Sequence, residues 1–575
     1  MFLRRKCRYK DGKSHFYWSL VETYRTSSGP RQRTVAYLGD MDEAGRLGVK
    51  DAAEGHDGQQ GEIFGSAEPE WVEVNIRRVR AERCRRFGDA WMALEIMKKL
   101  GLPELFEVLI PKTHEKIRWS TLGQVLIVSR FCEASSELFI AEQFYRQSAL
   151  ADLFGVSEGD IYDNRLYRAL DKLVEQKDKI QEHLKDRLGT LFDLKYDILL
   201  YDVTSTYFEG EAEANLKAAR GYSRDNRPDC KQVCIGLVVT KEGFPFGYEI
   251  FEGNKHDSKT VETIIEKMES LYGKSDRIWI MDRGMVSPDN LELLSSEGRR
   301  YIIGTPKAQL RKFEKELLSG DWRKVHDGVE VKLCPSPEGT TEVFILCRST
   351  DRQKKEEAIH NRFVTRIEEG LKRLQKSCTD GRVKKVCIVE RRIGRLLERN
   401  QRAASLFDIE VKELDGVVKI AWTVKNNLSD WSRISEGCYL LRSNVTDWQP
   451  EDLWKAYIQL TKAEEAFRLQ KHDLELRPVW HQLERRVNAH ILVCFIAYVL
   501  WKTFGRMCRN AGLGDEPRKV IQLLKAMTLV DVILPTRKGI DIRLQCVSKP
   551  DRDLAWMLQK LQLIPPERLT KEYKL

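Results

Sequence analysis

KYDILLYDVTSTYF, residues 195–208, is where the chain changes character. Before it, apolar residues recur at helical three-and-four spacing. Within it, an apolar run leads into one acid, Asp202, and the stretch reads as a strand. VCIGLVVTKEGFPFGYEIFEG (233–253) follows as two strands joined by a Lys-Glu-Gly turn. HDSKTVETIIEKMESLYG (256–273) has the period of an amphipathic helix, with Asp257 or Ser258 expected as its N-cap. RIWIMD (277–282) is an apolar strand ending in Asp282. SPDNLELLSSEG (287–298) is a short helix and YIIGT (301–305) a further strand.

The order is β-β-β-α-β-α-β, that of a ribonuclease-H-like mixed sheet carrying carboxylates on its central strands. A buried strand followed by Asp is costly unless the acid meets a partner or a metal. One such Asp is most simply a cap or turn residue. Two in this order, Asp202 and Asp282, turn the odds toward a site. A third element lies in AYIQLTKAEEAFRLQKHDLELRPVWH (456–481), within a helix expected from Asp452 to a break near Arg477-Pro478. Tyr457, Glu464 and Lys471 are seven residues apart, about two helical turns, so the spacing predicts one stripe. Arg468, four after Glu464, joins it. One carboxylate among Tyr, Arg and Lys suits a metal ligand beside phosphate-holding groups, although an ordinary charged helix face would look the same.

These motifs together resemble a bacterial insertion-sequence transposase of the DDE class, in the branch with a Tyr-x2-Arg-x3-Glu-x6-Lys signature. Tyr457, Glu464 and Lys471 fit that spacing; Leu460 stands at the Arg position, and Arg468 is the candidate to replace it. YDVTSTYFEG around Asp202, FEGNKHDSKT (251–260), IMDRGMVS around Asp282, and the stretch from GCYLLRSNV (437–445) to RVNAHILVCFIAYVL (486–500) carry the same likeness. It covers about 195–505 well and YWSLVETYRT…RQRTVAYLGD (17–40) more loosely.

The resemblance implies an enzyme that cleaves DNA at transposon ends and joins the freed 3′-hydroxyl to target DNA, without a covalent protein intermediate. It implies Asp202, Asp282 and Glu464 as catalytic, metal-holding residues, with Glu465 as the alternative third acid. Two Mg²⁺ ions are implied, with Mn²⁺ able to substitute, and Tyr457, Arg468 and Lys471 as DNA contacts. The expected partners are double-stranded DNA, as terminal inverted repeats and target, and a second copy of the chain as a homodimer on DNA. The expected place is the bacterial cytoplasm, at the nucleoid. Trp322, Trp422 and Trp431 are candidates to stack on a flipped base, or are core. The rival readings are a metal-dependent nuclease without strand transfer and a domesticated DNA-binding protein.

Composition is compatible with this. The 575 residues suggest about four domains. Lys plus Arg number 97 against 87 Asp plus Glu, a net charge of +10 that permits a polyanionic partner without requiring one. Thirteen scattered cysteines, with no CxxC, argue for free thiols in a reducing compartment. MFLRRKCRYKDGK has no apolar core, so no signal peptide is expected. The apolar run Ile491–Trp501 is too short to span a bilayer and reads as a buried helix. SLYGKS (270–275) lacks the first glycine of a phosphate-binding loop, having Met268 there. His256-Asp257 and His472-Asp473 read as a helix start and a polar face, with some functional weight on His256.

The expected architecture is an α/β multidomain chain. Residues 1–70 are a small N-terminal β-hairpin unit and linker. Residues 71–195 are helical and the favoured DNA-binding region, where Thr121–Phe131 and Ser136–Phe144 could form a helix-turn-helix. Residues 196–305 with 441–505 form the catalytic domain, 306–440 a β-rich basic insertion, and 506–575 a C-terminal helical region. The basic stretch 352–402 is a second candidate DNA surface.

Overall fold

The computed structural model describes residues 2–10, 13–26, 29–39, 71–112, 115–274, 276–414, 417–425, 431 and 434–574. The Gly-rich stretch Asp51–Gly65, read as a linker, lies outside these residues. The chain forms two compact units. The first takes Met1–Lys10, Ser14–Ser275 and Gln459–Leu575; Asp276–Ile458 make up the bulk of the second.

The first unit begins with a three-stranded sheet of β1 (Phe2–Lys10), β2 (Lys13–Thr26) and β3 (Gly29–Gly39), in that order. A strand β4 (Arg80–Arg86) then opens the region expected to be wholly helical. Helix α1 (Trp119–Cys132) is buried at every residue but Thr121. It packs with α2 (Asp163–Val174). A helix hidden on all faces offers none to a DNA groove, so α1 is a core element and not half of a DNA-reading pair.

β5 (Ile198–Tyr207), β6 (Gln232–Thr240) and β7 (Pro245–Glu252) follow as an antiparallel meander with β6 between its partners. β5 runs through Asp202, within the stretch 195–208 read as a strand. Val203, Thr204 and Thr206 are β-branched and continue the ladder to Tyr207, which pairs with Gln232. The next helix, α3 (Val261–Tyr272), is preceded by a 3₁₀ turn, Asp257–Thr260. That turn, not α3 itself, is capped by His256, whose ring nitrogen accepts the Ser258 N–H at 3.3 Å; the N-cap of α3 is Thr260 rather than Asp257 or Ser258. Asp257 is taken instead by Arg224.

In the second unit β8 (Ile278–Met281) runs parallel to β9 (Arg300–Gly304), with α4 (Pro288–Ser295) between them in sequence. β10 (Arg323–His326), β11 (Val329–Pro335) and β12 (Val343–Ser349) form a meander that meets β9 through a later strand, as set out below. Between β12 and that strand come α5 (Thr350–Thr379), α6 (Val386–Arg399) and the antiparallel pair β13 (Phe407–Leu414) and β14 (Val417–Val424). β15 (Cys438–Ser443) then completes the order β10-β11-β12-β15-β9-β8. Residues 306–440, expected to be β-rich, are therefore as helical as they are β-rich. Ile367, Leu371, Leu374 and Cys378 of α5 meet Val389 and Ile393 of α6 in a core of their own. The unit's chain ends with α7 (Pro450–Ile458).

The chain returns to the first unit with α8 (Thr461–His472) and α9 (Glu484–Asn510). α9 is long and apolar enough to cross a membrane, but 72% of its apolar window is buried, mainly against α1 and α2. The last region is not simply helical. β16 (Thr528–Pro535), β17 (Asp541–Val547) and β18 (Arg568–Lys574) join β4 in the order β18-β17-β16-β4. The alternating burial of TLVDVILP shows why: every second side chain enters the core. An ion network fastens the sheet. Arg85 of β4 meets Asp531 of β16 at 2.6 Å and Asp152 at 2.8 Å, and Arg543 of β17 also holds Asp531. A buried pair of this kind strongly destabilises if one partner is removed.

Candidate functional site

Asp202 occupies the one break in a closed strand. From Ile198 to Thr206 every residue of β5 is buried except Asp202, which is partly exposed opposite Leu237. Its Oδ1 accepts the Val203 N–H at 2.8 Å. The strand is pinned on either side of it. The Tyr201 hydroxyl donates to Thr260 Oγ1 at 2.7 Å, and the Thr206 hydroxyl donates to the Leu476 carbonyl at 3.0 Å. Tyr201 also explains Gly236: a Cβ there would come within 2.7 Å of the Tyr201 hydroxyl.

Helix α8 lies against β5 and β6. Its buried face is Ala463, Ala466, Phe467 and Gln470, while Glu464 and Arg468 are exposed. Glu464 therefore stands on the open side of the helix that covers the strand of Asp202. Glu465 points into different surroundings. Its carboxylate meets Lys462 at 3.1 Å, and although burial works against its charge, Lys462 and Lys502 hold its pKa below the usual range. Those cations satisfy Glu465 locally.

The helix expected to carry Tyr457, Glu464 and Lys471 on one stripe is two helices. α7 stops at Ile458 and α8 starts at Thr461. At the turn the N–H groups of Lys462 and Ala463 bond to carbonyls three residues back rather than four. Residues 459–460 hold neither Gly nor Pro to announce the break. The seven-residue spacing from Tyr457 to Glu464 therefore does not run along a single helix. Within α8, Glu464 and Arg468 are exposed, whereas the Lys471 side chain is only 9% exposed.

In the second unit Asp282 follows β8 directly and is exposed, at the start of the 3₁₀ turn Arg283–Met285. The Tyr457 hydroxyl donates to Asp282 Oδ1 at 3.4 Å. Burial, and then the Asp282 charge, raise the Tyr457 pKa, so the hydroxyl keeps its proton and stays a donor. Tyr457 reaches this place across Gly304 of β9, where a Cβ would sit 2.5 Å from the hydroxyl.

Lys471 is engaged with Asp225, at 2.9 Å, and Arg477 grips the same oxygen. Burial lowers the Lys471 pKa, and Asp225 opposes that fall. The Asp225 side chain is only 3% exposed. Neither Asp225 nor Arg224 was anticipated, though YSRDNRPD (222–229) packs two Arg–Asp steps between two apolar strands. The Arg224 N–H reaches Ser205 Oγ on β5 at 3.4 Å. His256 serves as a cap, and His472 faces Arg477 at 3.3 Å. Trp322 and Trp431 pack on the core of Leu310, Phe313 and Phe344, and Trp422 packs on the α5–α6 core.

Carboxylate oxygens are hard donors, the type that divalent Mg²⁺ and Mn²⁺ accept. The donor chemistry of Asp202, Asp282 and Glu464 thus fits such an ion. Among the described residues, no three His, Cys, Asp or Glu side chains are gathered as a metal-holding group.

Known families complete the identification. Residues 3–63 match the IS1634 family transposase N-terminal domain, and residues 92–182 match a domain of unknown function, DUF4277. No curated protein matches the chain. A solved structure titled "Cryo-EM structure of piggyBac transposase synaptic complex with hairpin DNA" is similar at a TM-score of 0.36 and 8% identity, over 79% of this chain and 82% of that one. That likeness is too low to support an argument. Residues 193–500, more than half of the sequence, match the transposase DDE domain, and the chain belongs to that family of DNA transposases.

Proposed function

We propose that this transposase cleaves DNA at the ends of an insertion sequence and transfers the freed 3′-hydroxyl into target DNA, with Asp202, Asp282 and Glu464 holding two Mg²⁺ ions. The observation that carries the assignment is the open position of Asp202 in an otherwise closed strand, under a helix whose exposed face bears Glu464. The DDE match spans all three acids. When bound, Mg²⁺ or Mn²⁺ would stabilise charge on the attacking and leaving oxygens.

The protein's own part is to position and neutralise. Tyr457 orients the Asp282 carboxylate through its hydroxyl. Arg468 is exposed and can lie along a phosphate backbone. Lys471, whose side chain is only 9% exposed, gives one of its three N–H donors to Asp225 and would meet DNA only by turning outward. The β5–β9 order is read as a ribonuclease-H-like core, interrupted by the insertion 306–440. The transposase acts as a homodimer holding two ends, at the nucleoid of a bacterial cell.

The test is nicking of DNA carrying the element's own terminal repeats. Asp202→Asn, Asp282→Asn and Glu464→Gln should each abolish nicking while DNA binding and the circular-dichroism spectrum stay intact. Glu465→Gln should retain nicking. Pre-cleaved ends should be joined to target DNA by the native protein; hydrolysis without joining would favour a nuclease. Nicking by all three variants would end the assignment.

A further inference from the structure

We propose that Asp225 is a positioning residue for DNA cleavage: by holding Lys471 it fixes the rotation of α8 about its own axis, and with it the direction of Glu464. The inference rests on the assignment of Asp202 and Glu464 made above and adds to it a residue outside the three acids.

Packing alone anchors α8 weakly. The helix starts at Thr461, directly after the break at Gln459–Leu460, so no longer helix carries its direction. The face laid on β5 and β6 is Ala463, Ala466, Phe467 and Gln470. Two alanines make a shallow ridge, which resists turning little. The chain leaving the helix is pinned: the Leu476 carbonyl accepts the Thr206 hydroxyl at 3.0 Å, and the Val479 N–H bonds the Tyr207 carbonyl at 2.9 Å. Those bonds lie beyond the last turn and fix where the helix ends, not how it is rotated. An ion pair at the same end, Asp473 with Arg518, involves a largely exposed arginine and contributes little. The direct partner of Glu465 is Lys462, on α8 itself, and Lys502 of α9 acts on it through space.

The Lys471 contact is of another kind. Its ammonium donates to Asp225 Oδ1 at 2.9 Å, and the same oxygen takes Arg477. The side chains of Lys471 and Asp225 are 9% and 3% exposed, so breaking the pair strands charge away from water. Asp225 is itself held. Ser223 Oγ accepts the Arg227 N–H at 2.9 Å across it. The Arg224 N–H bonds Ser205 Oγ of β5 at 3.4 Å, and the Arg224 side chain pairs with Asp257. This loop therefore ties α8 to β5, the strand of Asp202. Lys471 follows Glu464 by seven residues, so the two side chains leave the helix within about 20° of each other. Holding one sets the other. A turn of about 20° carries an atom at the helix rim, about 5–6 Å from the axis, through about 2 Å. A displacement of about 1 Å can slow a reaction about a hundredfold. Turning Lys471 outward to meet DNA would give up this hold.

The experiment measures DNA affinity and single-turnover nicking on one terminal-repeat duplex, with the full chain, for Asp225→Asn, Lys471→Met and the double variant. Asp225→Asn should slow nicking about tenfold or more while the dissociation constant for DNA stays within about twofold. The double variant should be no slower than Lys471→Met, because Asp225 acts only through Lys471. An unchanged rate, or losses that multiply in the double variant, overturn the inference. Tighter DNA binding by Asp225→Asn with a steeper salt dependence also overturns it, because Asp225 would then be withholding Lys471 and Arg477 from DNA. If Asp225→Asn loses the native circular-dichroism spectrum, the double variant, which removes both charges, carries the comparison with Lys471→Met. Loss of the spectrum there too makes the pair an element of the fold and overturns the inference. Nicking that survives Glu464→Gln overturns the site assignment itself, whatever Asp225 does.

Discussion

Helices α1 and α5 sit at opposite extremes. α1 hides thirteen of its fourteen residues; α5 hides four of thirty. Residues 351–402, which include most of α5 and all of α6, hold sixteen Lys and Arg against eight Asp and Glu, so they carry +8 of the chain's +10. Most of those cations are exposed, among them Arg362, Arg366, Lys372, Lys376 and Arg391. The difference teaches that helical content alone does not locate a DNA surface. The region 71–195 supplies core, while the positive charge is concentrated on a hairpin whose own apolar stripe is already buried against α6 and β13–β14. A small core of that kind can hold a charged face in place without using it for packing.

The contrast can be broken most decisively from the buried side. Leu126→Ala in α1 should cost about 2–5 kcal/mol, read by urea unfolding, because the site is fully enclosed and cannot collapse freely. A loss under about 1 kcal/mol would mean that α1 is not the core element described. Acid should expose the same region. Burial alone would raise the Glu137 pKa, but His481 at 3.3 Å and Arg130 bring it down to about 2. Burial, then Arg130, push the His490 imidazole well below its ordinary 6.5. Both folded values lie below the unfolded ones, so both contributions are complete at neutral pH and shrink as pH falls. That of His490 fades below 6.5 and that of Glu137 between 4.5 and about 2. The Glu137 contribution is on the order of 3 kcal/mol. Unfolding midpoints at pH 7, 5 and 3 should descend, and Glu137→Gln should flatten the lowest step; a rise on acidification would contradict the assignment.

The exposed side should respond through DNA alone. Replacing Arg362, Arg366, Lys372 and Lys376 with Gln should weaken duplex binding and flatten its salt dependence by about 0.9 for each phosphate no longer neutralised. Stability should stay within about 0.5 kcal/mol. An unchanged salt slope would remove the hairpin from the DNA surface. Smallest of all, Arg373→Ala should alter stability by less than about 0.5 kcal/mol, since its pair with Glu369 lies in open solvent. A larger loss would show that this face is not simply solvated.

The contrast also marks what a sequence can carry. The strands of Asp202 and Asp282 were legible because unbroken apolar runs end in, or pass through, a single acid. The α5–α6 charge was legible by counting. The break at Gln459–Leu460 was hidden because neither residue disturbs a helical period. β4 was hidden because VRAERCRR reads as a charged segment. Arg85 becomes a core residue only through Asp152 and Asp531, and no local window contains those partners. The capping role of His256 was masked by the better-known cap formers that follow it.

The Arg85–Asp531 contact joins residues 446 positions apart. A ribosome adding about 5–20 residues per second needs roughly 20–90 s to pass from one to the other. Throughout that time β4 lacks its partner strand β16, and Arg85 has Asp152 but not Asp531 to pair with. The closing of this sheet therefore works as a receipt for full-length synthesis: a chain cut short before β16 keeps an open edge on β4 and leaves Arg85 with Asp152 but without Asp531.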